Sequence, residues 1–292
     1  SELVKSMLDF SLFVTFFPHL VAGPIVRPPQ LVPQFETPRS ATMKQMTEGL
    51  LLLTLGLFMK VVLADGQLAP TANDIFGNTG AYLALDAWMG VLAFSGQIFF
   101  DFAGYSTCAI GVALCLGFIL PENFKYPYAA VGFSDFWQRW HITLSAWLRD
   151  YLYIPLGGNR QGQLKTYINL MVTMLLGGLW HGANWTFVVW GGLHGFYLWV
   201  EKFIRDKFSK RNIPTDQDVA VAGITGGNTS LAFIYALFTF FLINVTWVFF
   251  RAPTFAQAWT MLTSMFGMSG DVEPELTTLA IIKVSVIISL MV

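Results

Sequence analysis

LLGGLWHGANW, residues 175 to 185, sets His181 between glycines at the end of a long apolar run, where a solvated imidazole has little reason to be. Composition supplies the setting. With 54% hydrophobic and only 12% charged residues, and a mean hydropathy of +0.56, the chain has too little polar surface to wrap a water-soluble core. It reads as an all-α, polytopic membrane protein. The 17 Lys and Arg stand against 18 Asp and Glu, so no basic face exists to neutralise a run of phosphates, which excludes a nucleic-acid partner. Cys108 and Cys115 are two helical turns apart, about 10 Å by helix rise, which rules out a disulfide between them. They read as small core hydrophobes.

Apolar windows near the length of a membrane crossing, which takes about 20 helical residues, fall at residues 48–64, 82–100, 102–120, 166–181, 184–200, 231–250 and 278–292. Residues 8–22 form another apolar piece, broken by Pro18. The prolines of PIVRPPQLVPQFE, which follows it, call for an extended, non-helical connection. Residues 204–230 form the one long polar loop. The chain opens on Ser1 without a signal-peptide pattern and stops inside LAIIKVSVIISLMV. It is therefore expected to be part of a longer protein, with residues 1–292 forming one membrane domain.

Lys202, Arg205, Lys207, Lys210 and Arg211 follow one apolar window, while Arg160 and Lys165 precede the window before it. Both connections read as cytoplasmic. The pair 166–181 and 184–200 then goes in and comes back, with His181 at its far turn. A helix from Lys165 to Trp180 rises about 22 Å against a hydrocarbon thickness of roughly 30 Å, which leaves His181 inside the membrane. An ionisable group at that depth needs a cavity or a partner and marks a functional site. Gly177, Gly178 and Gly182 permit either close helix approach or a narrow passage, which Trp180 and Trp185 could line.

A second histidine lies in SDFWQRWHITLSAWLRDYLYIPLGGNRQG, residues 134–162. Trp137, Trp140, His141, Leu144, Trp147, Leu148 and Tyr151 recur at three and four, which predicts one stripe on an amphipathic, interfacial or re-entrant helix capped by Ser134 or Asp135. Arg149 and Asp150 are polar candidates on its other faces. His194 would face about 140° from His181 on one continuous helix and reads as structural. His19, after Pro18, is suited to satisfying freed backbone groups. Asp101 in FFDFAGYS interrupts a membrane-like run, so it either meets a partner in support of the site or marks a break between two helices.

The chain lacks a phosphate-cradling loop, a Cys/His metal spacing and a nucleophile elbow. An imidazole, with an ordinary pKa of about 6.5, can serve as the general base for acyl transfer to a hydroxyl. Asn184, a tryptophan N–H or the second histidine could stabilise the oxyanion. DFWQRWHITLSAWLRDYLYIPLGGNRQG and LLGGLWHGANWTFVVWGGLHG, together with HLVAGPIVRPPQLVPQF and GQIFFDFAGYSTCAIGVALCLGF, resemble the membrane-bound O-acyltransferase (MBOAT) family. Within it they are most similar to the bacterial branch of alginate O-acetylation and teichoic acid D-alanyl transfer proteins.

The resemblance spans His19 to Arg251 and implies tilted helices around a thin centre pierced by a tunnel, with helices of the family absent at both ends. It implies His181 as catalytic base and His141 as the second site residue. It further implies a cytoplasmic acyl donor, acetyl-CoA or another, as substrate with no tightly bound cofactor or metal. An exported acetyltransferase partner and a polysaccharide acceptor such as alginate would lie beyond the bacterial inner membrane. Trp137, Trp140, Trp180 and Asn184 then read as tunnel or supporting residues. The rival is a non-enzymatic membrane protein, either a bis-histidine haem carrier or a passive acyl conduit. Tryptophans crowding His141 leave little room for a macrocycle.

Overall fold

The computed structural model describes residues 7–78, 80–208, 229–270 and 272–291, and every regular element among them is helical. α1 (Met7–Thr15) leads through a short 3-10 turn at Phe17–His19 to α2 (Pro28–Phe35). The prolines thus do not enforce an extended connection. Pro28 and Pro29 occupy the first helical positions, where a missing N–H leaves nothing unsatisfied, and Gln30 Oε1 accepts from Arg27 N at 3.0 Å while Gln30 N donates to the Arg27 carbonyl at 2.9 Å.

Among the described residues, three helical runs are long and apolar enough to cross a membrane: Met43–Gly77, Ala84–Cys115 and Thr229–Arg251. The first joins α3 (Met43–Leu57) through a π-helical stretch, Phe58–Leu68, to α4 (Ala69–Gly77). The second, α5 (Ala84–Cys115), fuses the two windows expected at 82–100 and 102–120. Asp101 does not break the helix because it has a cation: Lys60 Nζ reaches its carboxylate at 2.6 Å and that of Asp65 at 2.9 Å. The five-residue step from Lys60 to Asp65 suits the wider π turn.

α3 and α5 pack backbone to backbone. A methyl group added at Gly111 would lie 2.6 Å from the Gly49 carbonyl oxygen, and one at Gly49 as close to that of Gly111. Cys108 and Cys115 are free thiols on this seam, filling space beside Gly56 and Gly49.

The single helix expected within 134–162, from a cap at Ser134 or Asp135 to an end at Pro155, is two short ones, α6 (Phe133–Arg139) and α7 (Ile142–Leu148), followed by a π turn at Arg149–Tyr153. Trp140 is extended and His141 left-handed, with φ 43° and ψ 54°, so the stripe kinks at the histidine itself. Trp137, Trp140, His141, Leu144 and Leu148 are buried, whereas Trp147 and Tyr151 are exposed. Neither Ser134 nor Asp135 caps the first turn in the expected way. The Glu201 carboxylate instead accepts from Phe133 N at 2.5 Å and from Ser134 N at 3.2 Å, while Asp135 accepts from Val131 N at 2.9 Å.

The hairpin follows as α8 (Gln163–His181) and α9 (Trp185–Phe208), which carries Lys202, Arg205 and Lys207 within the helix. The expected polar loop therefore starts later than residue 204, and Lys210 and Arg211 lie outside the described residues. α10 (Thr229–Arg251), α11 (Phe255–Met265) and α12 (Thr278–Ser289) complete the chain. α10 packs on both α5 and α9 around a tryptophan-rich core.

Candidate functional site

Two glycines bring the hairpin together. A methyl group at Gly178 would strike the Phe187 carbonyl, and one at Gly191 would strike that of Met174, so α8 and α9 touch through bare backbone. At Gly182 the added methyl would lie 2.6 Å from the Phe187 ring. At Gly178 and Gly182 the missing side chains thus serve packing. Asn184 shapes the turn by accepting from Thr186 N at 3.1 Å and donating to the Pro253 carbonyl at 3.0 Å. One Nδ2 hydrogen is committed to this turn, and the second is not engaged among the described residues.

His181 ends α8, which at 19 residues rises about 27 Å, longer than the apolar window alone indicated. Its ring stands edge-on to Trp190 at 5.2 Å and to Phe250 at 5.2 Å. Trp180 also lies 5.2 Å from it but is 61% exposed, and Trp185 is 72% exposed, so these two face outward like interfacial anchors. No hydrogen bond holds either His181 nitrogen among the described residues.

His141 meets the same cluster from the α6–α7 kink. Its neighbour Trp140 packs on Trp247 at 5.2 Å, and Trp247 stacks on Trp190 at 5.9 Å, which in turn touches His181. The two imidazoles are thus joined through a chain of three tryptophans, Trp140, Trp247 and Trp190. His141 lies edge-on to Phe102 at 4.6 Å and its Nδ1 is 3.1 Å from Asn123 Oδ1.

The remaining histidines differ in kind. His194 is fully buried with both nitrogens engaged, Nδ1 by the Trp137 indole N–H at 3.3 Å and Nε2 by Thr246 Oγ1 at 3.0 Å, which fits its structural reading. It does not share a helix with His181, yet Trp190 lies between them. His19 does not satisfy backbone groups through Nδ1, which is buried without a partner among Phe13 and Phe16.

Trp137 also lines a cavity of about 610 Å³ with Gln138, Ser145, Arg149, Thr173 and Met174, between α6–α7 and the middle of α8. Arg149 binds Asp150 at 2.7 Å, and Asp150 also pairs with Arg27. Arg149 first, and Arg27 after it, hold the Asp150 carboxyl below the usual carboxylate range. Asp101 is tied to Lys60, and it is its neighbour Phe102 that packs on His141.

Sequence reasoning did not find Asn123, Trp190, Trp247, Phe250 or Glu201. Trp190 is buried with no acceptor for its indole N–H among the described residues. The one available signal was Glu201, an acid at the start of the charged run EKFIRDK.

Residues 4–226 match the model of MBOAT, the membrane-bound O-acyltransferase family. The chain belongs to this family. It is 45% identical over 267 residues to a probable alginate O-acetylase, AlgI, of Azotobacter vinelandii, covering 91% of the chain and 49% of that relative. It is 42% identical over 269 residues to a peptidoglycan O-acetyltransferase of Helicobacter pylori, covering 91% of the chain and 48% of the relative. With a teichoic acid D-alanyltransferase of Streptococcus thermophilus it shares 28% over 232 residues, covering 74% and 54%. The chain spans about half the length of these curated relatives. Membership of the MBOAT family does not favour the rival haem carrier or passive conduit.

Proposed function

We propose that this chain is the core of an O-acetyltransferase that crosses the bacterial inner membrane several times and passes acetyl groups from a cytoplasmic donor outward for O-acetylation of an extracellular polysaccharide such as alginate. One observation carries the reading. His181 and His141 share an aromatic cluster, and each keeps ring nitrogen free of protein partners among the described residues. The relatives' names support the acetyl group and the glycan acceptor.

With an acyl thioester such as acetyl-CoA as substrate, His181 takes the proton of the acceptor hydroxyl while its oxygen attacks the acyl carbon. The new C–O bond leaves a tetrahedral oxyanion. Its collapse breaks the C–S bond, and His181 returns the proton to the departing thiolate, so an ester and a free thiol result. His141 orients the acceptor. The 610 Å³ cavity, with Arg149 in its lining, suits entry of a phosphate-bearing donor. The acceptor hydroxyl belongs to the polysaccharide or to an exported acetyltransferase partner.

The test is His181→Ala. The variant should accumulate in membranes at the normal level while the O-acetyl content of the extracellular polymer falls to background. Acetylation retained in that variant would remove His181 from the reaction.

A further inference from the structure

Asn123 is almost completely buried and lies at the centre of a hydrogen-bond hub around His141. Its Oδ1 faces Thr143 N at 3.2 Å, Thr143 Oγ1 at 2.9 Å and His141 Nδ1 at 3.1 Å. Its Nδ2 donates to Ser106 Oγ at 3.2 Å, and Ser106 passes its own hydrogen to the Ala22 carbonyl at 3.3 Å. The Asn123 carbonyl also accepts from Ile142 N at 3.0 Å, so the backbone directly after His141 is bound to the same residue.

Donor and acceptor bookkeeping fixes the protons without reference to any hydrogen position. A backbone N–H can only donate, so the Asn123 atom facing Thr143 N is the oxygen and the amide is not flipped. Thr143 Oγ1 accepts from Ile25 N at 2.9 Å, which turns its own hydrogen toward Asn123. An oxygen surrounded by donors would repel a bare lone pair on His141 Nδ1, so Nδ1 carries the hydrogen. The other ring nitrogen, Nε2, is then the lone-pair nitrogen. It has no partner among the described residues, and unlike the Trp190 indole nitrogen it is not among the sealed, unpartnered atoms.

We propose that Asn123 is a positioning residue that locks His141 in the Nδ1–H tautomer, so that His141 meets reactants through Nε2 as a hydrogen-bond acceptor. This rests on the acyl-transfer reading above and sharpens it. A neutral His141 held in this way accepts a hydrogen bond from a second donor group of the acceptor, such as a neighbouring hydroxyl, which leaves the hydrogen of the reacting hydroxyl to His181, and it cannot donate to an oxyanion. The left-handed backbone of His141, rare for a residue with a side chain, has a cause in the same hub, because the bonds to Asn123 from both His141 and Ile142 hold it there.

The experiment is nitrogen-15 NMR of the protein, with labelled histidine, in lipid bilayers, and the His141 signal is the one absent from His141→Gln. One-bond N–H correlations report which nitrogen is protonated. The expected result is Nδ1–H with bare Nε2 in the wild type, retention of Nδ1–H in Asn123→Asp, and a mixture or reversal in Asn123→Leu. O-acetyl transfer to the extracellular polymer should fall about a hundredfold or more in Asn123→Leu and remain within about tenfold in Asn123→Asp, as for other misoriented histidine bases. Nε2–H in the wild type, or an Asn123→Asp variant no more active than Asn123→Leu, overturns the proposal. If Asn123→Leu does not fold, the wild-type spectrum and the aspartate variant still decide. The Nδ1–H signature together with full acetylation in His181→Ala would leave the lock standing and sink the acyl-transfer role assigned to His181.

Discussion

Replacing Glu201 with leucine tests how the His141 kink is held. Glu201 is 6% exposed and accepts from three donors: Phe133 N, Ser134 N and the Tyr235 hydroxyl at 3.2 Å. Leucine fills the space but leaves all three without an acceptor, at about 1–3 kcal/mol each. Even the low end sums to about 3 kcal/mol, and at roughly 2–4 °C lost per kcal/mol the thermal midpoint in detergent should fall by at least about 6 °C. Glu201→Gln keeps one acceptor oxygen but turns an NH₂ toward a donor, so it should fall between leucine and wild type. Tyr235→Phe removes one donor and leaves the two backbone bonds, at about 0.5–1.5 kcal/mol. The same order should appear in accumulation of the protein in membranes. A Glu201→Leu midpoint within 2 °C of wild type, or a Tyr235→Phe loss as large as that of leucine, would refute the view that this carboxylate anchors α6.

Gly191→Leu places side-chain atoms in the Met174 backbone and should abolish accumulation, which immunoblotting of membranes would read, whereas an equal yield would show that the α8–α9 contact yields easily. The Asp150 carboxyl is held below its ordinary value, so its contribution to stability is present above about pH 4 and is lost as pH falls further. Thermal midpoints measured between pH 3 and 6 should converge for wild type and Asp150→Asn at the acid end, and parallel curves would remove the pair with Arg149 and Arg27 from consideration.

Much of the hairpin was legible because local pattern determines it: apolar windows 166–181 and 184–200 lie within α8 and α9, and the glycines mark where backbones meet. The rest has a different physics. At Asp101 the sequence left a partner and a helix break both open, because the counter-charge that decides for the partner, Lys60, is 41 positions earlier and on another helix, beyond the reach of any window. The prolines before Phe35 suggested an extended strand because their tolerance at a helix start depends on a cap, here Arg27 with Gln30. The stripe from Trp137 to Tyr151 repeats at three and four, and such a repeat is the same for one long helix as for two short ones in phase. Only Asn123, 18 residues before His141 in a proline-flanked connection without periodicity, determines that the chain turns at the histidine.

The histidines are separated by their nitrogens more sharply than by their depth. Burial does not distinguish them, since His194 is more enclosed than His141 and lies against the same Trp190 that touches His181. Engagement does. His194 has both nitrogens tied and can neither gain nor pass a proton without breaking a bond to Trp137 or Thr246. His141 has one tied and one open, and His181 has neither held by the described protein. A base that must take a proton and give it back needs an open nitrogen, and a residue that must hold a substrate in one orientation needs its other nitrogen fixed. The division of labour proposed for His181 and His141 rests on that difference, with the mobile proton at the end of α8, where the hairpin turns and Phe250 of α10 packs edge-on against His181.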